Sequence, residues 1–241
     1  MIKCKNLLIS TLLTIAISST IGFADEKSDQ VKENLSRILP SNMPISSIEE
    51  SPMEGVYIVD VGGQAMYVYS KGDFVMVGDV YDSVRQVSLG EEQKALEMSE
   101  ALAGIPDEEV ILMSESKPRY VTVFTDTDCF YCQKFHKTVS ELEARGMQVR
   151  YLMFPRAGLE SESYNEAVSV WCAEDQARAM TIAKSGGAVE AKTCENPVAQ
   201  QYELGQQLGV RGTPTMILDN GKVIPGYVTP DQLFSEAGAI N

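Results

Sequence analysis

Histidine and tryptophan are nearly missing from this chain of 241 residues, which has one of each, and aromatic residues make up only 7%. A single histidine leaves little from which to build a histidine-rich metal centre. Basic residues are outnumbered, 20 against 34 acidic, for a formal net charge of −14. That imbalance argues against nucleic acid or anionic lipid as a partner and keeps a protein soluble. Beyond the N-terminal segment, no apolar run reaches the roughly 20 residues that a membrane-spanning helix needs. The sequence also lacks a glycine-rich phosphate loop, a paired-carboxylate motif and a nucleophile elbow. These absences leave the cysteines as the chief carriers of chemistry.

There are five cysteines. Cys4 lies between Lys3 and Lys5, ahead of an apolar stretch from Leu7 to Ile17 and the small-residue pattern Gly22-Phe23-Ala24. This reads as a secretory signal peptide over residues 1–24, cleaved after Ala24. Its loss removes two lysines and no acid, so the charge moves from −14 to −16. Cys129, Cys132, Cys172 and Cys194 remain, and four cysteines in an exported chain fit two disulfides. About 217 residues remain as well, more than one typical domain, and two are expected.

The stretch Thr125-Asp126-Thr127-Asp128-Cys129-Phe130-Tyr131-Cys132 lies between two recognisable elements. Before it, Tyr120 to Phe124 is an apolar, β-branched and aromatic run that predicts a buried strand. After it, Phe135, Val139 and Leu142 alternate with charged residues in a helical pattern that Gly146 closes. Cys129 is therefore expected at a helix N-terminus, where unsatisfied N–H groups and the helix dipole favour a thiolate. A thiolate there attacks disulfides, and Cys132, one turn on, is placed to resolve the mixed disulfide. Half of a zinc site and a static structural bridge are the competing readings of the pair.

Earlier in the chain, a helix is expected from Asp25 to about Leu39, with Val31, Leu35 and Ile38 on one side and Pro40 and Pro44 beyond its end. The runs Val56–Val59, Ala65–Tyr69 and Phe74–Val77, separated by glycine-containing turns, predict an antiparallel meander. Such a small sheet is a thin core alone, and dimerisation through it is the natural expectation. Leu89 to Ala103 predicts a mostly polar helix, either a connector between domains or an ordinary surface helix.

Downstream of the cysteine pair, Met147 to Phe154 predicts another strand, and Ser163 to Glu166 has the spacing of a capping box. Further helices are expected over Asp175 to Ala183, near Ala188, and after Asn196-Pro197. Thr215–Leu218 and Lys222–Ile224 around Asn220-Gly221 predict a hairpin, and Thr229-Pro230 opens a last helix. The order is that of a mixed sheet with helices.

Three further features invite a role. Pro214, behind Thr213 at the head of a strand, cannot give a ladder N–H and could aim the Thr213 backbone at an extended substrate; an ordinary loop proline is the plainer reading. Cys172 and Cys194 lie in the helical insertion without a Cys-x-x-Cys, which favours a structural bridge over a second active pair. Closing that loop would stabilise the fold by roughly 3 kcal/mol. His136, on the site helix, reads as a packing or surface residue rather than a proton carrier.

Taken together, these motifs resemble the DsbC/DsbG family of exported thiol:disulfide interchange proteins. The resemblance runs through Gly78-Asp79-Val80-Tyr81-Asp82, Val123-Phe124-Thr125-Asp126, Cys129-Phe130-Tyr131-Cys132, Phe154-Pro155-Arg156-Ala157-Gly158-Leu159, Val170-Trp171-Cys172-Ala173, Gln207 to Pro214 and Val223-Ile224-Pro225-Gly226-Tyr227. It implies an α+β chain with a cystatin-like dimerisation domain over residues 25–88, a linker helix and connector over 89–115, and a thioredoxin-fold catalytic domain of α/β type with a helical insertion over 116–241. It also implies a periplasmic homodimer that isomerises wrong disulfides in misfolded exported proteins, acts as a chaperone, and is kept reduced by a membrane thiol reductant of the DsbD type. No cofactor, metal or nucleic acid is implied.

Carried over by residue, Cys129 would be the nucleophile and Cys132 the resolving thiol. Phe130, Tyr131, Thr213 and a cis Pro214 would face substrate, and Cys172–Cys194 would match the family's structural bridge. Phe130 departs from the glycine or proline of the best-known relatives. Many thioredoxins place a buried acid where Val123 stands here. A holdase with incidental thiols and a net dithiol oxidase are the alternative functions.

Overall fold

Val31 and Leu35 recur one turn apart among polar residues, so a helix there has a single face to bury. In the computed structural model, which describes residues 22–71 and 73–238, that helix is α1 (Gly22–Ser36). It belongs to the first of two compact units, which divide between Gly78 and Asp79. The remainder of the first unit is an antiparallel meander of β1 (Ile45–Glu50), β2 (Val56–Val61), β3 (Gln64–Tyr69) and β4 (Val75–Val77), in that order. Gly62 and Gly63 both have positive φ, as the two-residue turn between β2 and β3 demands. Val31 and Leu35 pack with Tyr57, Val59, Val61, Met66 and Val68 into a small core. Ile38, expected on the same face, lies beyond the helix end and is exposed. The expected signal peptide falls on residues outside those described, apart from its last three.

In the second unit, the short β5 (Tyr81–Asp82) and β6 (Val87–Ser88) form a ribbon of their own. The Ser88 side chain caps α2 (Leu89–Ala103) by accepting from the Glu91 N–H. Next come β7 (Ile111–Leu112), β8 (Arg119–Thr125), α3 (Phe130–His136), α4 (Val139–Ala144) and β9 (Met147–Met153). The chain continues through α5 (Glu162–Trp171), α6 (Gln176–Lys184), α7 (Val198–Gln207), β10 (Thr215–Leu218), β11 (Val223–Pro225) and α8 (Pro230–Ala237). The strands make one mixed sheet, ordered β11-β10-β8-β9-β7, in which β8 and β9 run parallel and the other pairs antiparallel.

Successive strand residues face opposite sides, and the sheet accordingly has two cores. Val121, Val123, Val149, Tyr151, Met153, Met216 and Leu218 point to one side, where they meet Phe135, Leu142, Val170, Met180 and Leu233 from the helices. Phe124, Leu152 and Ile217 point to the other, where they meet Met98 and Leu102 of α2, with Phe154 and Val210. The mostly polar α2 is thus packed within the second unit, through Met98 and Leu102 on the sheet and through its backbone at Ala95 against Gly221. α7 also lies on this side. A Cβ added to its Gly205 would come within 2.6 Å of the Phe154 ring and 3.0 Å of the Phe124 ring.

Two expectations need correction. The site helix is not continuous: the Thr138 side chain and N–H both bond to the Phe135 carbonyl, and this local competition separates α3 from α4. The segment near Ala188 forms no helix. Gly186 takes a positive φ, and Cys194 further on is tied to Cys172, so the chain there follows the bridge rather than its own periodicity.

Candidate active site

At its C-terminal end β8 runs into the Asp126-Thr127-Asp128 turn, and Cys129 is the N-cap of α3. In open α/β sheets, this end of the strands is where ligands bind. Asp126 makes the turn rigid. Its side chain is buried, with Oδ1 accepting from the Asp128 N–H and Oδ2 from the backbone N–H and Nε of Arg156 at 2.9 Å each. Arg156 also donates to the Asp128 carbonyl. Cys129 and Cys132 carry free thiols and are 2% and 1% exposed.

The other wall comes from far along the chain. Thr213 and Pro214, joined by a cis peptide bond, lead into β10, which pairs with β8. Cys129 Sγ donates to the Thr213 carbonyl at 3.2 Å. The Thr213 hydroxyl is buried and has no partner of its own. Phe130 and Tyr131, by contrast, are 71% and 55% exposed, with their rings in edge contact. The pair presents apolar surface beside a nearly covered sulfur.

The two thiols differ in acidity. Burial pushes the Cys129 pKa up, but the Thr213 hydroxyl, Cys132 and the Arg156 guanidinium favour its thiolate, and the balance falls below the ordinary thiol value. Cys132 is deeper, and its burial outweighs the opposing pull of Lys184, Asp126 and Thr125, so its pKa is raised. An acidic outer thiol above a less acidic inner one suits attack followed by resolution.

His136 is half-buried, its ring nitrogens bonded to Tyr151 Oη at 3.0 Å and Thr181 Oγ1 at 3.1 Å. Burial, with Lys184 nearby, lowers its pKa to about 4. At neutral pH it is uncharged and fixed in place. Cys172 and Cys194 are bonded to each other, 22 residues apart in sequence. Among the described residues, no cluster of three His, Cys, Asp or Glu could hold a metal ion.

The sequence reading assigned no role to Asp126, Arg156 or Lys184. The first two are polar residues in loops, present in the motifs that carry the resemblance but without a spacing that points to a role. Lys184 left a trace: it follows Met180 and Ala183 at helical spacing, so it interrupts the apolar stripe of α6 rather than its polar face.

A family model described as "Thioredoxin-like domain" matches residues 106–239, and one described as "Disulfide bond isomerase protein N-terminal domain" matches residues 22–91. "Thiol:disulfide interchange protein DsbC" of Salmonella typhimurium is 34% identical over 229 residues, which span 95% of this chain and 93% of that protein. Its namesake in Dickeya dadantii is 30% identical over 231 residues, spanning 96% and 94%. Among solved structures, a disulfide interchange protein from Neisseria gonorrhoeae shares 32% identity, covers 54% of this chain and 93% of its own, and gives a TM-score of 0.46.

Proposed function

Because the chain belongs to the DsbC family of thiol:disulfide interchange proteins, we propose that it reduces and isomerises incorrect disulfides through Cys129 and Cys132. The observation that carries the reading is an acidic Cys129 thiol at the N-cap of α3, bonded to Thr213 across the sheet, with Cys132 buried one turn behind it. The Cys129 thiolate attacks one sulfur of a substrate disulfide. A Cys129–substrate bond forms, the old bond breaks, and the other substrate sulfur leaves as a thiolate. That thiolate then attacks a different disulfide of the substrate, and repeated exchange ends when a stable pairing displaces Cys129 unchanged. Where exchange stalls, Cys132 attacks Cys129, releasing the substrate reduced and leaving Cys129–Cys132 oxidised.

Phe130 and Tyr131 offer an exposed apolar contact for unfolded chains, and the Thr213-Pro214 segment lies beside the thiol they would approach. In this reading residues 1–24 direct export to the periplasm, 25–88 dimerise, 89–115 connect, and 116–241 carry the chemistry. The oxidised pair is returned to dithiol by a membrane reductant of the DsbD type. The dimer also holds unfolded chains as a chaperone, and Cys172–Cys194 is a structural bridge apart from the chemistry.

The test is recovery of activity by a substrate with scrambled disulfides. The wild-type protein is expected to restore it, Cys129→Ser to fail, and Cys132→Ser to accumulate a mixed disulfide visible on a non-reducing gel. Full rescue by the Cys129→Ser/Cys132→Ser double variant would overturn the enzyme reading and leave a holdase. Thiol trapping in acid-quenched cells tests the direction of flow: a reduced pair is expected, and an oxidised pair would point to a net oxidase.

A further inference from the structure

One cation lies in the core beneath the thiols. Lys184, the last residue of α6, is 2% exposed. Its Nζ donates to Thr125 Oγ1 at 2.8 Å and to the Asp126 carbonyl at 2.6 Å. These are also the neighbours of Cys132, whose sulfur lies within reach of the Thr125 hydroxyl and the Asp126 N–H. Lys184 and Cys132 therefore share Thr125 and Asp126 as neighbours. A lysine so deeply buried is costly unless its charge is used or neutralised. Asp126 is the nearest acid, yet its carboxylate is turned to Arg156, and Lys184 takes only its carbonyl.

Resting on the thiol-exchange reading above, we propose that Lys184 is a positioning residue for the resolving step. Its ammonium, acting across Thr125, stabilises the Cys132 thiolate that must form before a stalled mixed disulfide is released. In that step Cys132 gives its proton to solvent and its thiolate attacks Cys129 Sγ. The Cys129–Cys132 bond forms, the Cys129–substrate bond breaks, and its electron pair leaves on the substrate sulfur, which takes a proton from solvent. The enzyme dithiol is oxidised and the substrate disulfide reduced. Val123 leaves no acid beneath the thiols at its position on β8, and the helical insertion supplies a buried cation instead.

The charged and titratable groups facing Lys184 are Cys129, Cys132 and His136 at α3, Asp126 in the turn after β8, and Glu166 on α5. Burial lowers the Lys184 pKa to about 8, while Cys132, Asp126, Cys129 and Glu166 oppose that shift. Lys184 and Cys132 thus titrate as an interacting pair, and each favours the charged form of the other.

The test separates the two thiols in time. Reduced protein mixed with the aryl disulfide dithiobis-nitrobenzoate releases one coloured thiolate when Cys129 attacks and a second when Cys132 resolves. In Lys184→Met, which keeps the packing and drops the charge, the first release is expected within about twofold of wild type. The second should change in a manner specific to charge. For each unit that the Cys132 pKa rises, the thiolate fraction at neutral pH falls tenfold, while each thiolate becomes about threefold more nucleophilic. The second release is then about threefold slower near neutral pH, where Lys184 is charged, and the difference should close as Lys184 loses its proton above about pH 8. Lys184→Gln, which can still donate to Thr125, should follow Lys184→Met and carries the test if Lys184→Met does not fold. The proposal is overturned if the second release keeps the wild-type pH profile, if it is slowed equally at every pH, or if Lys184→Gln behaves as wild type. Absence of the first release from the wild-type protein would instead overturn the exchange-site reading itself.

Discussion

Cys129 Sγ lies 3.2 Å from the carbonyl oxygen of Thr213, a residue 84 positions later in the chain. The same threonine also carries a buried hydroxyl without a partner. As a thiol, Cys129 donates to the carbonyl; as a thiolate, it can accept from the hydroxyl. Thr213 therefore serves both protonation states with different atoms. Thr213→Val removes only the second service. Alkylation of Cys129 near neutral pH is expected to slow by a few-fold, because the thiolate loses a donor. Thermal stability should be unchanged or slightly higher, because a buried unpaired hydroxyl is removed.

Arg156 holds Asp126 at 2.9 Å and draws the Cys129 pKa down by its charge. Arg156→Met should slow Cys129 alkylation at neutral pH and destabilise the fold by about 1–3 kcal/mol, since the buried carboxylate loses a charged donor. Half of the Arg156 side chain is in solvent, so its effect on the thiol should shrink as salt is raised. Alkylation rates at low and high ionic strength check both points.

His136 gives a pH dependence whose sign follows from linkage. Its folded pKa of about 4 lies below the unfolded value of about 6.5, so between these values the unfolded chain binds more protons. Stability is expected to be full above about pH 6.5, to fall as the pH drops through that window, and to level off below about 4. The loss is up to about 3 kcal/mol. Urea unfolding of wild type and His136→Gln at pH 7.5 and 4.5 isolates the contribution, and the variant should lose less on acidification.

Gly205→Ala would be stabilising by up to about 1 kcal/mol on helix propensity alone. The added methyl, however, meets the Phe154 and Phe124 rings, which are themselves packed edge to face, with Tyr202 against Phe154. Overpacking costs typically 1–3 kcal/mol, so a net loss of about 1–2 kcal/mol is expected in denaturant midpoints. Near the thiols, the first release of the two-step assay should be unaffected.

Much of this was legible from local pattern. Leu89–Ala103 is a helix with the bounds its sequence predicts, and the β8 run and the β10–β11 hairpin lie where their apolar alternation puts them. β1 escaped because Ile45–Glu50 has only two apolar residues, of which only Ile48 packs, partly buried, against the core. The break after His136 escaped because it depends on one threonine side chain choosing a carbonyl. Cys129, Cys132, Thr213 and Pro214 announce themselves by residue type. Asp126 and Lys184 owe their places to partners from other elements, and only the third dimension brings those together.

β10 is bounded on one side by β8, which begins nearly a hundred residues earlier, and it carries the Thr213 wall of the site. A chain made from its N-terminus therefore displays the Cys-x-x-Cys long before the segment that acidifies it has been synthesised. Until β10 docks, Cys129 lacks Thr213 and has only Cys132 and Arg156 to favour its thiolate.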